Sequence, residues 1–155
     1  MYFFKLKPTP KSVKWFEENE YDLKAMGAAI SLLFAEVENL GYTKQINLTI
    51  QVTFGLDESS YEFRSNKIWL CDNPDEYAKS LKRKQQAVFL HFLHEFRHWM
   101  QSRVHKVSHT KLDYSIEDAN RNANAYFKNE YEVDARRFAK NHLSRFCKYY
   151  KAFKH

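Results

Sequence analysis

Near its start the chain carries apolar side chains at the three- and four-residue steps of an amphipathic helix. The pattern extends from about Ser12 to Leu40, and Gly41 follows it as a stop signal. It therefore predicts one long N-terminal helix. The apolar positions are Trp15, Phe16, Leu23, Met26, Ala29, Ile30, Leu33, Phe34 and Val37.

The next segment changes to the two-residue period of half-buried strands. Residues 45–54 alternate polar and apolar side chains almost without interruption. Two shorter strands are predicted over residues 61–64 and 67–70, on either side of Ser65-Asn66. The sequence thus predicts an α+β domain in which the long helix lies on a small, three-stranded, mainly antiparallel sheet.

Helical signals return after this sheet. Asn73 is a suitable N-cap and Pro74 suits a first helical position, so a helix is predicted to begin here. It either continues or breaks near residues 82–84 before the apolar run that follows. Residues 113–124 are rich in Asn, Asp and Ser, which predicts a loop.

A final helix is predicted from Asn129 towards Tyr150. Its expected buried positions are Val133, Phe138, Ala139, Leu143 and Phe146.

Composition narrows the class of protein. The 155 residues are 44% hydrophobic and 17% aromatic with 3 Gly and 3 Pro, which excludes a disordered or linker-rich chain and predicts a single domain over residues 1–155. We find no run of about 18 apolar residues and no cleavable leader. Cys71 and Cys147 lack a C-x-x-C partner. We therefore expect a cytoplasmic monomer with no membrane association.

A polar stripe crosses the most apolar helical segment. Between residues 87 and 100, His91, His94, Glu95 and His98 fall at positions i, i+3, i+4 and i+7, and Arg97 is the one further polar residue. These side chains share one helix face. Because an unpaired buried polar group costs about 1–3 kcal/mol, the stripe requires a partner, and a metal ion would provide one.

Residues 94–98 of this stripe form an H-E-x-x-H motif. Two histidines four residues apart on a helix can reach one metal ion, which makes His94 and His98 candidate ligands. Glu95 is then the candidate general base towards a zinc-bound water. The alternative is chance, since the chain has 7 His and the motif leaves two positions free.

A catalytic zinc ion needs a third protein ligand, and residues 129–139 offer two candidates. Glu132 begins an E-x-x-A-x-x-F-A pattern that includes Ala135, Phe138 and Ala139. Here the chain resembles the gluzincins, in which a glutamate on a later helix completes the site. This register looks like the ImmA/IrrE-type peptidases and the related minigluzincins of phages and bacteria.

The second register begins at Glu130. The pattern Glu130-x-x-x-Asp134 resembles thermolysin-like gluzincins, with Asp134 as a partner of a ligand histidine. We prefer Glu132 because three further residues fit its register. Without a metal, Glu132 would form a capping box with Asn129, and Glu130 would be favoured by the helix dipole.

The resemblance covers about residues 45–140. It implies a zincin-like fold, a Zn²⁺ cofactor, zinc metalloendopeptidase activity on protein or peptide substrates, and a phage or bacterial origin. Arg97 departs from the family pattern, and we expect it to pair with a carboxylate such as Asp134. The resemblance also places the substrate beside an edge strand, for which residues 67–70 are the candidate.

Other polar residues near the motif receive lesser roles. His91 and His105 are expected to be partly buried or surface residues rather than ligands, because a fourth protein ligand would close the catalytic position. Tyr114, Tyr126 and Tyr131 are equivalent candidates for stabilising an oxyanion.

The charge distribution supports a different function as an alternative. The net charge is +6, and the chain could be a basic module that binds nucleic acid or protein, with a structural or vestigial metal site. The basic residues concentrate in residues 82–84 and at Arg136, Arg137, Lys140, Arg145, Lys148, Lys151 and Lys154.

Overall fold

The computed structural model describes residues 2–41, 46–53, 59–71, 80–108, 111 and 127–154. These residues form an α+β arrangement of four α-helices and a four-stranded mixed sheet. The elements in chain order are β1 (Tyr2–Pro8), α1 (Pro10–Glu18), α2 (Leu23–Asn39), β2 (Ile46–Thr53), β3 (Ser60–Glu62), β4 (Lys67–Cys71), α3 (Leu81–Trp99), a π-helical turn that continues α3 (Met100–Val104), and α4 (Glu130–Phe153).

The sheet contains a strand that the sequence reading missed. β1 pairs with β2 along its whole length, from Tyr2 opposite Ile46 to Pro8 opposite Val52. Phe4, the residue of β1 that faces the helices, stacks on Phe34 of α2 with ring centroids 5.5 Å apart. The prediction of a three-stranded sheet was therefore wrong.

The direction of the strands also differs from the prediction. The order is β1-β2-β4-β3, in which β1 and β4 both run parallel to β2 and β3 alone is antiparallel, to β4. The prediction of a mainly antiparallel sheet was wrong because polar and apolar residues alternate with the same two-residue period in parallel and antiparallel strands. The helices between β1 and β2 return the chain to the same end of the sheet, which makes a parallel pair.

The same strand order corrects the expected edge strand. β4 has neighbours on both sides, so residues 67–70 do not form an edge. Next to α3, the edge of the sheet in the described part of the chain is β3.

The predicted long N-terminal helix is two helices. Glu20 adopts a φ of 57° in the left-handed region, which ends the helical path after α1. Asp22 then accepts a hydrogen bond from the backbone N–H of Ala25 and caps α2. The apolar period persists across this break, so periodicity alone joined the two helices.

The C-terminal helices agree better with the sequence. α3 begins after an N-cap at Ser80 and continues through residues 82–84 without a break. α4 begins after Asn129, as predicted. Ala139 and Phe146 are buried as expected, whereas Val133, Phe138 and Leu143 are half-buried. The predicted helix start at residues 73–74 and the loop at 113–124 lie outside the described residues.

Aromatic side chains join the helices into one core with the sheet. Phe34 of α2 meets Phe96 and Trp99 at ring-centroid distances of 5.2 Å each, and Phe89 meets Phe146 of α4 at 5.1 Å. Alternate residues of β2 and β4 complete this core. Among the described helices, none is long and apolar enough to cross a membrane.

Candidate metal centre

The two faces of α3 differ in polarity, and the polar face holds both motif histidines. His94 and His98 lie one turn apart, with their ring centroids separated by 4.9 Å and their Nε2 atoms by 3.2 Å. Phe92 and Phe96, on the apolar side of the helix, are fully buried. Packing of that side against the core turns the two imidazoles towards α4.

Glu132 reaches both histidines from the first turn of α4. The side chain of Asn129 accepts hydrogen bonds from the N–H groups of Tyr131 and Glu132, which starts the helix at this point. The Glu132 carboxylate lies 3.0 Å from His94 Nε2 through Oε2 and 3.0 Å from His98 Nε2 through Oε1. It thus bridges the two rings instead of closing a capping box.

The competing register gives a different result. Glu130 is exposed at the start of α4 and is absent from the cluster that Glu132 forms with the histidines. Ala135 and Ala139, one and two turns after Glu132, are buried where α4 packs along α3. The structure therefore brings together the preferred set of His94, His98 and Glu132.

The spacing of these donor atoms fits a bound metal ion. Ligands at bond lengths of about 2.0–2.1 Å in a tetrahedral arrangement are about 3.3 Å apart. The two Nε2 atoms are 3.2 Å apart, and each lies 3.0 Å from a different oxygen of Glu132; with one donor atom per residue, all three lie within 4.8 Å of one another. Two imidazole nitrogens and a carboxylate at this spacing could hold one metal ion, and an ion would replace the mutual contacts.

Glu95 is buried beside this cluster. The backbone N–H of Tyr61 in β3 donates a hydrogen bond to its carboxylate. Burial raises the pKa of Glu95 to about 7, against the opposing effects of His98 and His94. The edge strand thus holds a carboxylate of unusual proton affinity next to the candidate ligands.

Electrostatics couple the ligand side chains strongly. Burial disfavours the charged form of His98, but the hydrogen bond to Glu132 and the charges of Glu95 and Glu132 raise its pKa to about 9. Burial also opposes the charged form of Glu132, yet the hydrogen bonds from His94 and His98 hold its pKa well below the usual range. Without a metal, the buried carboxylate is stabilised by the hydrogen bonds from both histidines and by positive charge on His98.

A buried amide fixes the orientation of His98. Gln101 Nε2 donates to Asp134 Oδ2 at 2.8 Å and to the Tyr131 carbonyl at 3.0 Å. Its Oε1 therefore faces His98 Nδ1, at 2.8 Å, and accepts a hydrogen bond from the N–H of that nitrogen. This arrangement leaves Nε2 of His98 free to face the cluster, as a metal ligand requires.

Sequence reasoning missed Gln101. It lies in the π-helical turn that continues α3, three residues after His98. The signal available in the sequence was a polar residue one helical turn after a candidate ligand histidine. π-helical turns inside α-helices frequently occur at functional sites.

Arg97 pairs with Asp134, as predicted. Its Nε lies 2.8 Å from Asp134 Oδ2 and its Nη2 lies 3.4 Å from Oδ1. The guanidinium also lies over the Phe138 ring, at 5.1 Å from the centroid. Arg97 therefore joins α3 to α4 beside the cluster and leaves the three donor atoms accessible to a metal.

The remaining candidates lie around the cluster. His91 is half-buried and its Nδ1 is 3.2 Å from Ser59 Oγ, whereas His105 is exposed, so neither joins the cluster, as predicted. Tyr131 contributes its carbonyl to Gln101. Tyr114 and Tyr126 lie outside the described residues.

A cleft of about 380 Å³ opens beside the cluster. Its walls come from α3, from α4, from Phe127 before α4 and from the residue that precedes β3, so a ligand in the cleft would touch His94, Glu132 and Glu95. The lining residues are Ser59, Leu90, His91, His94, Glu95, Phe127, Glu132, Arg136, Ala139 and Lys140.

No protein-family model, curated protein or solved structure gives a significant match to this chain.

Proposed function

We propose that this protein is a zinc-dependent metallopeptidase of gluzincin type. The observation that supports the proposal is the convergence of three metal-ligating groups, from His94, His98 and Glu132, next to the buried carboxylate of Glu95 and an open cleft. Two imidazoles and one carboxylate are a donor set found in catalytic zinc sites, which keep a further position for water or substrate.

Zinc at this position would supply Lewis acidity, which polarises a substrate carbonyl and acidifies water. His94 and His98 would hold the ion as neutral imidazoles through Nε2, and Glu132 would hold it through its carboxylate. Gln101 keeps the proton of His98 on Nδ1 and holds the ring in place.

Glu95 acts as general base and then as general acid. Its carboxylate takes a proton from the water whose oxygen attacks the peptide carbonyl carbon. It then passes this proton to the amine nitrogen as the carbon–nitrogen bond breaks, so the proton lost by water appears on the leaving group. The hydrogen bond from Tyr61 N–H fixes the carboxylate during both transfers.

The decisive variant is Glu95→Gln, assayed on a panel of peptides and unfolded proteins. We expect one zinc ion per chain in both wild type and variant, and a loss of activity of about a thousandfold in the variant. Glu130→Gln is the matched control, because Glu130 is an exposed carboxylate near the site and outside the cluster. Wild-type protein that binds no stoichiometric zinc contradicts the proposal.

The alternative is a basic binding module with a structural metal. It is supported by exposed cations on α4, which include Arg137, Lys148 and Lys151. Arg145 is partly neutralised, since its Nη1 lies 2.9 Å from Glu36. Salt-dependent nucleic-acid binding that is equal in wild type and Glu95→Gln, without cleavage of any panel member, would favour this function.

A further inference from the structure

Two cationic side chains line the cleft on the same helix as the third candidate ligand. Arg136 and Lys140 follow Glu132 by four and eight residues, so all three lie on one face of α4. Substrate in the cleft would therefore meet the candidate metal at one end of this row and the two cations along it.

Arg136 is held in place at the rim of the cleft. Its Nη2 donates to the Phe127 carbonyl, and its guanidinium lies over the Phe127 ring at 4.0 Å from the centroid. Neither contact involves a carboxylate, and among the described residues Arg136 forms no ion pair. A cation that is positioned before binding loses less side-chain freedom when an anion arrives.

Lys140 is exposed, and in the described part of the chain it takes part in no ion pair. Two other cationic side chains on α3 and α4 do form ion pairs. Arg97 is paired with Asp134, and Arg145 is paired with Glu36. Within the described ranges, therefore, no carboxylate pairs with the two cations at the cleft.

The charge balance of the cleft favours an anionic ligand. Among its described lining residues, Glu95 and Glu132 are acidic, and Arg136 and Lys140 offset them. A divalent ion on the three candidate ligands would add positive charge without adding an acidic group. The occupied cleft would therefore carry an excess of positive charge.

We propose that this cleft recognises a carboxylate of the substrate close to the bond that is cleaved, with Lys140 and Arg136 as specificity-determining residues. Leu90, Ala139 and the Phe127 ring provide apolar walls for the methylene groups that carry such a carboxylate. The inference rests on the proposed function, and it names the substrate class as peptides with an acidic residue or a free C-terminus in this position.

Binding measurements test the inference apart from catalysis. Zinc-loaded Glu95→Gln protein is titrated by calorimetry with N-acetyl-Ala-Glu-Ala amide, with its Gln counterpart, and with the Gln peptide as a free acid. We expect at least one carboxylate peptide to bind about tenfold more tightly than the Gln amide. The pair of carboxylate peptides distinguishes a side chain from a C-terminus.

Substitutions on α4 then assign the preference to the cleft. Lys140→Gln, in the same Glu95→Gln background, should remove most of the preference for the carboxylate. Lys148→Gln has the same change of charge at an exposed site two turns further along α4, and should leave the preference unchanged. Arg136→Gln should lower it further when combined with Lys140→Gln.

The outcomes separate this inference from the proposed function. Equal affinity for all three peptides, no detectable binding of either carboxylate peptide, or equal effects of Lys140→Gln and Lys148→Gln overturns the acidic preference. A Lys140-dependent preference in protein whose wild type cleaves no peptide supports the cleft and contradicts the peptidase. Cleavage of peptides by the wild type without any preference for acidic peptides supports the peptidase and contradicts the acidic preference of the cleft.

Discussion

The two sides of α3 obey different physical requirements. On one side Phe92 and Phe96 are fully buried and contact other aromatic rings at centroid distances of 5.1–5.7 Å. On the other, His94 and His98 surround a carboxylate that is 3% exposed. The aromatic side packs against other aromatic side chains of the protein, whereas the polar side brings three metal-ligating groups together.

This difference separates stability from function along one helix. Burial of an apolar ring stabilises the fold through the hydrophobic effect and close packing. Burial of carboxylates and imidazoles opposes folding unless their charges are compensated. The cluster of His94, His98 and Glu132 could hold a metal ion, and a divalent cation there would compensate the carboxylate directly.

The largest effect on folding is expected from Phe96→Ala. It removes a fully buried ring at the contact of α3 with α2 and should lower the free energy of unfolding of the zinc-free protein by about 3–5 kcal/mol. Urea unfolding followed by circular dichroism measures it. Phe153→Ala, at a ring that is 42% exposed, is the matched control and should change stability far less. Equal effects would show that the apolar side of α3 is not the principal core.

Zinc should stabilise the folded protein through the polar side alone. At a free zinc concentration one hundred times the Kd, wild type should gain about 2.7 kcal/mol in the free energy of unfolding. His98→Ala should gain nothing, whereas His105→Ala, at an exposed histidine outside the cluster, should gain as much as wild type. Zinc stabilisation that survives in His98→Ala would place the ion elsewhere.

Gln101→Met tests the support of the ligand histidine. The substitution keeps the length of the side chain and removes the acceptor that holds the His98 Nδ1 proton, so zinc affinity should fall by about ten- to a hundredfold. Competition with a chromogenic chelator measures this. Gln85→Met on the same helix removes a hydrogen bond to Glu20 instead and should leave zinc affinity unchanged. If both variants bind zinc like wild type, Gln101 has no role in positioning the ligand.

The smallest effect is expected at the surface pair between α4 and α2. Arg145→Gln removes an ion pair in which the arginine side chain is 53% exposed, which should cost at most about 1 kcal/mol in unfolding free energy. Zinc affinity should be that of wild type. A change in zinc binding from this substitution would show that the cluster depends on the overall seating of α4 rather than on its own contacts.

The sequence predicts the helices that carry the cluster better than the sheet beneath them. α3 and α4 have strong periodicity, and Asn129 supplies a clear cap for α4. β1 was not predicted, although Phe4, Lys5, Leu6 and Lys7 alternate in polarity. The direction of a strand depends on the connections between strands, and the break between α1 and α2 depends on the left-handed conformation of Glu20. The hydrophobic period of the sequence is sensitive to neither.

The cluster shows the same limit at the level of single residues. His94, His98 and Glu95 follow from helical spacing, and the pairing of Arg97 with Asp134 followed from the faces of two helices. The register with Ala135, Phe138 and Ala139 already favoured Glu132 over Glu130, and the position of α4 relative to α3 places Glu132 against both histidines. Gln101, Arg136 and Lys140 gained their meaning only when the structure placed them against His98 and the cleft.

The most direct test of the account is the metal content and coordination of the purified wild-type protein and of its Glu132→Gln and Glu130→Gln variants. Elemental analysis and X-ray absorption spectroscopy should show one zinc ion per chain, bound by two imidazoles and a carboxylate in wild type and in Glu130→Gln. Glu132→Gln should lose the carboxylate ligand and most of the affinity. Wild-type protein without stoichiometric zinc, or a ligand set that is unchanged by Glu132→Gln, would contradict the account.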